Sequence, residues 1–303
     1  MRELVKNSDI KLSFAGHETF PLRLLWLKKT HDAVANGAPN RLFSEPDAIA
    51  RFGIGRNMAL SMRYWGDAVG TIRDDGQQLH PTEFGARLLA DDGWDPYLEQ
   101  SASLWAIHAR LAAEPRRATV FFAFNALNEP DFESATLQKL LGEIARSRPA
   151  SRASAGTIKR DVEVFLRSYV SRRDTGGEDA AEPLLAELGL LRETRYSGHF
   201  EFVRGPKPTL PDGVFAYALE RFWRSYTANA PTISVEQASY AVGSPGRIFK
   251  LDEHSVAMRL IAMEALTGGA WRWTDTAGLR QLHRVTAINE MSILATCYPA
   301  AVQ

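Results

Sequence analysis

The sequence predicts a mainly α-helical protein with small β wings, an α+β fold made of tandem winged helix-turn-helix-like modules. Three observations lead to this prediction. Two helical patterns followed by a hairpin pattern occur in three successive parts of the 303-residue chain. In each part the second helical pattern carries apolar residues spaced by four and three, which places them on one helical face. These apolar stripes also begin at a regular interval.

The stripes begin at Met58, Ile158 and Val256. The intervals are 158 − 58 = 100 and 256 − 158 = 98 residues, a period near one hundred. A fixed period indicates related structural units, although three unrelated helical hairpins are the alternative, because amphipathic helices are common. The expected domains are an N-terminal winged-helix domain (1–112), a middle basic winged-helix-like domain (113–210) and a C-terminal helical or winged-helix-like domain (211–303).

The first module has the clearest pattern. Ser44 is expected to cap a helix with Pro46 in its first turn, and Gly53 and Gly55 permit the tight turn that follows. A short β pattern then turns at Asp-Asp-Gly, residues 74–76. The stripe of its second helix consists of Met58, Met62, Trp65 and Val69.

The middle module repeats this order. Its first helix is expected to be capped near Ser134, and a hairpin is expected to turn at Ser197-Gly198. The stripe of its second helix consists of Ile158, Val162, Phe165 and Tyr169. Lys159 and Arg160 lie outside that stripe, so we expect them on an exposed face.

The third module begins with a capping box. Ser234 and Gln237 have the required spacing. Residues 243–246 form the turn, and Asp252 is expected to cap the second helix. The stripe of that helix begins with Val256, Leu260 and Met263, and "AWRWTD" (270–275) is expected to form its wing.

The composition excludes several classes of protein. The chain has 36 basic and 36 acidic residues, so it is not a uniformly basic nucleic-acid binder. It has one cysteine, Cys297, which excludes an internal disulfide framework and fits a reducing cytoplasm. Without an apolar signal segment or a membrane-spanning run, a soluble cytoplasmic protein is expected. The role of Cys297 is not indicated by its neighbours in the sequence.

A local basic region nevertheless stands out between residues 139 and 173. It contains nine basic and three acidic residues, a difference of 9 − 3 = 6 positive charges. Patches of this kind bind phosphates even where the total charge is zero. The basic residues are Lys139, Arg146, Arg148, Arg152, Lys159, Arg160, Arg167, Arg172 and Arg173.

The stretch "FAGHETFPLRLLWLKK" (14–29) has the densest set of functional residue types. His17-Glu18 resembles the start of a zinc-protease helix, but that site needs a second histidine at position 21. Pro21 stands there, which excludes the zinc-protease site and is typical of the first turn of a helix. We therefore expect this stretch to begin the first helix.

Four segments together resemble the SspB-like family of bacteria, long described as a domain of unknown function. They are "FAGHETFPLRLLWLKK", "GIGRNMALSMRYW" with "TEFG", "TIKRDVEVFLRSYV" and "SPGRIFKLDE", and they extend over about residues 14–255. The resemblance implies a DNA-nicking component that uses Mg²⁺. It also implies partners, since the family accompanies a cysteine desulfurase, an ATPase and an ATP-pyrophosphatase-like enzyme. Those enzymes place phosphorothioate sulfur in DNA, mainly in one strand, in phage defence.

Candidate DNA contacts follow from residue type and expected exposure. Arginine and asparagine on a recognition helix can contact bases or, more often, phosphates. The alternatives are a solvated polar face, a protein-binding winged helix, helix-dipole complementation by Lys28, or a loop cap by Arg247 and Lys250. The candidates are Arg23, Lys28, Arg56, Asn57, Arg63, Lys159, Arg160, Arg247 and Lys250.

Catalysis is assigned to His17 and Glu18. Glu18 is the candidate Mg²⁺ ligand, because magnesium prefers carboxylate oxygens and water, and His17 would act on the attacking water or leaving oxygen. One carboxylate is few for such a site, so Asp161 is a second candidate by residue type alone. The structural alternative is that Glu18 stabilises a helix N-terminus and His17 anchors the loop.

Three functions remain open at this point. The first is a magnesium-dependent DNA nickase that serves phosphorothioation and phage defence. The second is a non-catalytic DNA-binding adaptor that recruits the sulfur-transfer enzymes. The third is a transcription regulator built from winged helices. Assembly of the chain with copies of itself stays open, and we expect no membrane partner.

Overall fold

The computed structural model describes residues 10–44, 47–151, 153–171 and 183–298. Within those ranges the chain is mainly helical with small antiparallel sheets, as predicted. The α-helices are α1 (Trp26–Ala35), α2 (Asp47–Phe52), α3 (Arg56–Val69), α4 (Glu83–Leu89), α5 (Ser101–Ala112), α6 (Ala118–Asn125), α7 (Ser134–Arg146), α8 (Ala155–Tyr169), α9 (Asp212–Thr227), α10 (Val235–Tyr240), α11 (Pro245–Ile248), α12 (Glu253–Leu266) and α13 (Glu290–Ala295). Short 3-10 turns occupy Asn40–Ser44, Pro149–Ser151 and Ala186–Leu188.

Eight strands form three separate sheets in the part of the chain that the structure describes. They are β1 (Ile72–Asp74), β2 (Leu79–Pro81), β3 (Asp131–Glu133), β4 (Leu191–Glu193), β5 (His199–Phe202), β6 (Thr232–Ser234), β7 (Trp271–Thr276) and β8 (Leu279–Arg284). Every pairing is antiparallel, in the orders β1-β2, β3-β5-β4 and β6-β8-β7. In the registers, Arg73 faces His80, Phe132 faces Phe200, and Ile233 faces Leu282.

The repeated order of elements follows the period in the sequence. Met58, Ile158 and Val256 lie in α3, α8 and α12, and a hairpin follows each of these helices. The hairpins are β1-β2, β4-β5 and β7-β8, at the three positions where the sequence predicts wings. The second and third sheets also contain a strand before the helices, β3 and β6, which the sequence analysis did not predict.

Local chemistry explains several helix ends. Ser234 and Gln237 form the predicted capping box at α10. The Asp252 carboxylate accepts from the backbone N–H of Ser255 at 2.7 Å, the predicted cap of α12. Gly53 has φ of +68°, in the left-handed region that glycine adopts without strain, at the tight turn before α3.

The start of the first helix differs from the prediction. Helix α1 begins at Trp26, five residues after Pro21, which is not in its first turn. Leu22 is buried whereas Leu24 and Leu25 are exposed. The segment therefore packs as a turn whose Leu22 side chain lies in the core. Helix α1 begins after it, at the buried Trp26. Four residues of the sequence analysis lie outside the described ranges: Pro46, Arg152, Arg172 and Arg173.

The hydrophobic core is continuous from Leu12 to Tyr298. Helices α5 and α6 lie inside it, with Trp105 and Phe124 fully buried. Ahead of α1, Ser13 forms a parallel bridge with Arg117, just before α6. This bridge holds residues 10–20 against the middle of the molecule. No helix in the described part of the chain is long and apolar enough to cross a membrane.

Candidate functional site: a strained turn anchored on helix α8

The segment Gly16–Phe20 forms a strained turn. Gly16, Glu18 and Thr19 have φ of +115°, +45° and +69°. Positive φ is unusual for residues with a side chain and most unfavourable for β-branched threonine. The N–H of Phe20 donates to the His17 carbonyl at 2.8 Å and closes the turn. Arg167 of α8 donates from its guanidinium to the Thr19 carbonyl. Such a conformation persists only where surrounding contacts hold it.

The main anchor is a buried pair between His17 and Asp161. The His17 Nε2 atom is 2.6 Å from Asp161 Oδ1, and the two residues are 4% and 7% exposed. The backbone N–H of Thr19 donates to His17 Nδ1 at 3.2 Å. Nδ1 is therefore the acceptor, so Nε2 carries the proton and donates to Asp161. The Thr119 hydroxyl donates to Asp161 Oδ2 at 2.5 Å.

Three elements contribute to this cluster. His17 comes from the leading segment, Thr119 from α6 and Asp161 from α8. Asp161 lies on the buried side of α8, beside the apolar stripe, while Lys159 and Arg160 are exposed. A carboxylate buried there requires hydrogen-bond donors, and His17 and Thr119 supply one to each oxygen.

A small cavity borders the pair. Its volume is about 20 Å³, room for about one water molecule. The Tyr64 ring packs edge-on against the His17 imidazole at 5.7 Å, and the Arg117 guanidinium lies 5.1 Å from the centre of the Tyr64 ring. Burial raises the pKa of Tyr64, and the charge of Asp161 raises it further. Tyr64 is therefore a neutral wall of the cavity.

Arg117 connects the cavity to the surface. Its Nη2 atom is 2.5 Å from Asp67 Oδ2. The carboxylate of Asp67 is part-exposed, whereas the guanidinium of Arg117 is largely covered. The side chains of Arg117, Tyr64 and His17 thus lie one after another in space between the carboxylates of Asp67 and Asp161.

Glu18 is exposed on this turn, so its carboxylate faces outward from a backbone that is fixed on both sides. The structure thus brings His17 and Asp161 together, but it does not add Glu18 to them as a metal-binding cluster. In the described ranges there is no group of three or more histidine, cysteine, aspartate or glutamate residues that could hold a metal ion.

Asp161 and Glu18 do not meet at a common magnesium site in this arrangement, because Asp161 is buried and Glu18 is exposed. Both oxygens of Asp161 already accept hydrogen bonds, and the carboxylate is buried. Magnesium keeps several water molecules and binds one or two carboxylates. The pairing of Asp161 with Glu18 as ligands therefore stays a prediction, without a shared site in the described residues. Asp161 anchors the turn, and Glu18 is the accessible carboxylate.

The first candidate DNA-binding surface is the start of α3. Arg56 and Asn57 are both exposed in its first turn. Arg63 lies further along α3 and is half-buried. It forms an ion pair with Asp74 of β1, which joins the helix to its hairpin. Arg56 and Asn57 keep the exposure that a phosphate or base contact requires.

The second candidate surface is the start of α8. Lys159 and Arg160 are exposed, as predicted from their place outside the apolar stripe. Asp161 follows them directly but points inward. One turn of helix thus carries two outward cations and the buried anchor of the strained turn.

Two lysines need correction as DNA contacts. Lys250 is 1% exposed, its Nζ donates to the Phe124 carbonyl at 2.7 Å, and it lies 4.0 Å from the ring centre of Phe202. Lys28 is 7% exposed, and its Nζ binds Asp32 and Asp91 at 2.9 and 2.6 Å. The Lys250 ammonium group is therefore buried away from any phosphate, whereas that of Lys28 is neutralised by two carboxylates near the surface.

Arg23 and Arg247 are part-buried. The Arg23 guanidinium lies 5.6 Å from the ring centre of Trp26. Arg247 donates from Nε to the Tyr240 carbonyl at 3.0 Å and from Nη1 to Asn128 Oδ1 at 2.7 Å. Their side chains hold local structure, and contact with DNA remains a prediction for both.

Sequence reasoning missed Thr119, Tyr64 and Arg117. Tyr64 lies outside the apolar stripe of α3, and the other two lie in a part of the chain without an amphipathic pattern. Thr119 and Asp161 are 42 residues apart, and His17 and Asp161 are 144 apart. No local spacing could have indicated either contact.

Comparison with known proteins gives a consistent picture. The chain matches a family model described as "Protein of unknown function (DUF4007)" over residues 14–298. It is similar to a crystal structure described as magnesium ion-bound SspB, with a TM-score of 0.86, 29% identity, and coverage of 96% of this chain and 89% of that one. A second SspB crystal structure matches with a TM-score of 0.84, 30% identity, and coverage of 94% and 88%. A search of curated proteins gives no match. The chain therefore belongs to the SspB-like family, the family described as DUF4007.

Proposed function

We propose that this protein binds DNA and cuts one strand in a Mg²⁺-dependent reaction, as the nicking component of a DNA phosphorothioation system that acts in phage defence. Its partners would be the cysteine desulfurase, the ATPase and the ATP-pyrophosphatase-like enzyme of that system. In the cut, the oxygen of a water molecule bonds to phosphorus and one P–O ester bond breaks.

The observation that carries the proposal is the strained turn at residues 16–20. A non-glycine backbone with positive φ at Glu18 and Thr19 lowers the stability of the fold. The buried His17–Asp161 bond and the Arg167 contact hold it in place. This arrangement fixes one exposed carboxylate, that of Glu18, on a turn that is held by α8. Strain that is retained and rigidly supported is typical of functional sites.

Two further points support the proposal. Exposed cations and an amide on α3 and α8 offer contacts to DNA phosphates. The similar SspB structure is described as bound to magnesium. That likeness motivates the Mg²⁺ requirement for this chain, with Glu18 as the accessible carboxylate.

The test is the conversion of supercoiled plasmid to the nicked form with Mg²⁺ and with EDTA. We expect nicking by the unmodified protein only with Mg²⁺, and a loss of at least about tenfold in Glu18→Gln, since an amide lacks the charge that attracts the cation. DNA affinity in EDTA should stay unchanged. Glu264→Gln removes an exposed carboxylate from α12 and serves as the control. Nicking by Glu18→Gln at the unmodified rate would remove Glu18 from the reaction.

The adaptor function is the second candidate, and one observation favours it. His17 is nearly buried and both Asp161 oxygens are engaged, so the pair has the character of a structural anchor. An adaptor would bind DNA with the same surfaces but would leave supercoiled plasmid intact with Mg²⁺. The same plasmid assay therefore separates the two functions.

A further inference from the structure

A second pocket adjoins the His17 cavity and opens to solvent. Its volume is about 230 Å³, more than ten times that of the cavity, which is about 20 Å³. Ser13 and Arg117 line both spaces, so they form the wall between the pocket and the cavity. The residues that line the pocket are Lys11, Leu12, Ser13, Asp67, Arg116 and Arg117.

Backbone pairing brings the cations of this pocket together. The N–H of Ser13 donates to the Arg116 carbonyl at 2.8 Å, and the N–H of Ala118 donates to the Ser13 carbonyl at 3.3 Å. Ser13 and Arg117 thus form a parallel bridge. This bridge places Lys11 at the same pocket as Arg116, although the two are about one hundred residues apart in the sequence.

The charge in the pocket favours an anion. Among the described residues, three cations, Lys11, Arg116 and Arg117, line it with a single carboxylate, that of Asp67. Arg116 also has a contact with Glu114 at 3.2 Å, but the arginine side chain is 65% exposed. Exposed ion pairs of this kind contribute little and are easily replaced.

The contact between Arg117 and Asp67 does not use every N–H donor of the guanidinium. Its Nη2 atom binds Asp67, while its buried Nε–H has no hydrogen-bond partner in the ranges that the structure describes. A guanidinium carries five N–H donors in a planar fork that suits phosphate oxygens. Its position is fixed by the Tyr64 ring and by Asp67, so little side-chain freedom is lost when an anion binds.

We propose that this pocket, here called the Lys11 pocket, binds one backbone phosphate of DNA beside the strained turn. The inference rests on the proposed function, in that DNA is the ligand. It adds a phosphate-binding site formed by Lys11, Arg116 and Arg117. The site aligns the strand along the wall that the pocket shares with the His17 cavity.

Lys11→Gln/Arg116→Gln is the test variant, because both side chains are exposed and their replacement leaves the core intact. The control variant is Arg87→Gln/Arg280→Gln. It removes two exposed arginines that pair with Glu83 and Glu253, as Arg116 pairs with Glu114. Binding of a fluorescently labelled short duplex is measured by anisotropy in EDTA over a series of salt concentrations, and plasmid nicking with Mg²⁺ is measured in parallel.

A phosphate contact contributes about −0.9 to the slope of log K against log salt. We therefore expect the Lys11 pocket variant to bind DNA several-fold more weakly, with a slope reduced in magnitude by about one, and the control variant to match the unmodified protein. An unchanged slope in the Lys11 pocket variant would overturn the inference, even if the unmodified protein nicks plasmid. A reduced slope would support it even if no variant nicks, in which case the nickase function fails and the pocket stands.

Discussion

Asp161 is the residue on which the strained turn depends. It receives one donor from His17 and one from Thr119, both in the interior. A buried hydrogen bond to a charged group contributes about 1.5–3 kcal/mol. Asp161 thus holds a turn that the backbone alone would not adopt.

We predict that Asp161→Asn lowers the free energy of unfolding by about 1–3 kcal/mol, because the charge-assisted bond is lost and one amide N–H faces a donor. Urea unfolding followed by circular dichroism measures this. The matched control is Glu163→Gln, an exposed carboxylate two residues further along α8, which should change stability by less than about 0.5 kcal/mol. Equal stability of Asp161→Asn and the unmodified protein would mean that the turn is held by other contacts.

Residue type alone could indicate part of this site. His17, Glu18 and Asp161 were all candidates from the sequence, and the structure joins His17 to Asp161. The role of Asp161 as anchor of the turn could not be predicted, because it depends on contacts with residues 144 and 42 positions away. The exposure of Lys159 and Arg160 was predictable, since it follows from helical period and needs no tertiary information.

At the scale of elements, the three corresponding helices differ in what they expose. Helix α3 exposes Arg56 and Asn57, and α8 exposes Lys159 and Arg160. Helix α12 instead exposes His254, Met258, Ile261 and the carboxylate of Glu264. Its Arg259 is engaged by Asp212 at 2.6 Å and is largely covered. The order of helix and hairpin is therefore the same in all three parts, while the third helix lacks the positive charges that attract phosphates.

We predict that Lys159→Gln/Arg160→Gln weakens DNA binding and reduces the magnitude of its salt slope by up to about two, one for each lost phosphate contact. Circular dichroism should be unchanged, because both side chains lie off the buried stripe. The control, His254→Glu/Met258→Glu, lowers the charge of α12 by the same two units. If the control weakens binding as much as the α8 variant does, the effect is one of total charge, and α8 is not a specific DNA surface.

The sequence predicts amphipathic elements well and others poorly. The α3, α8 and α12 helices were found because each has one buried and one exposed face. Helices α5 and α6 are buried on nearly all sides, so they lack the alternating polarity on which such predictions rely. Strands β3 and β6 have three residues each, too few to establish a period of two.

At the scale of the whole molecule, α5 contacts all three of the expected modules. The Trp105 indole N–H donates to the Thr209 hydroxyl at 3.2 Å, and the Ser103 and Tyr298 hydroxyls lie 3.1 Å apart. His108 contacts Tyr169 of α8 and Ile248 of α11. The expected boundaries near 112 and 210 remain predictions, but the modules share one core, so a cut at either boundary would expose apolar surface.

His108 also gives the assembled fold a dependence on pH. Its Nε2 is 2.8 Å from the Ile248 carbonyl, which can only accept, so Nε2 carries the proton. Its Nδ1 then accepts from the Tyr169 hydroxyl at 2.8 Å. This arrangement requires a neutral imidazole. Burial is the main cause that lowers the pKa of His108 to about 3. The hydrogen bond to Ile248 raises this pKa, and the nearby charge of Lys250 lowers it.

The unfolded chain binds a proton at His108 near pH 6.5, whereas the folded protein does so only near pH 3. Between these values the unfolded state holds more protons, so stability falls as the pH falls, by up to about 1.4 kcal/mol per pH unit. From pH 7 to pH 5 this group alone should remove about 2 kcal/mol of unfolding free energy.

We predict that this loss is smaller by about 2 kcal/mol in His108→Gln, which does not titrate. Tyr169→Phe should be less stable at both pH values, yet it should retain the full loss, because its imidazole still titrates. Urea unfolding at the two pH values measures all three proteins, and equal losses in His108→Gln and the unmodified protein would mean that another group makes the fold sensitive to acid.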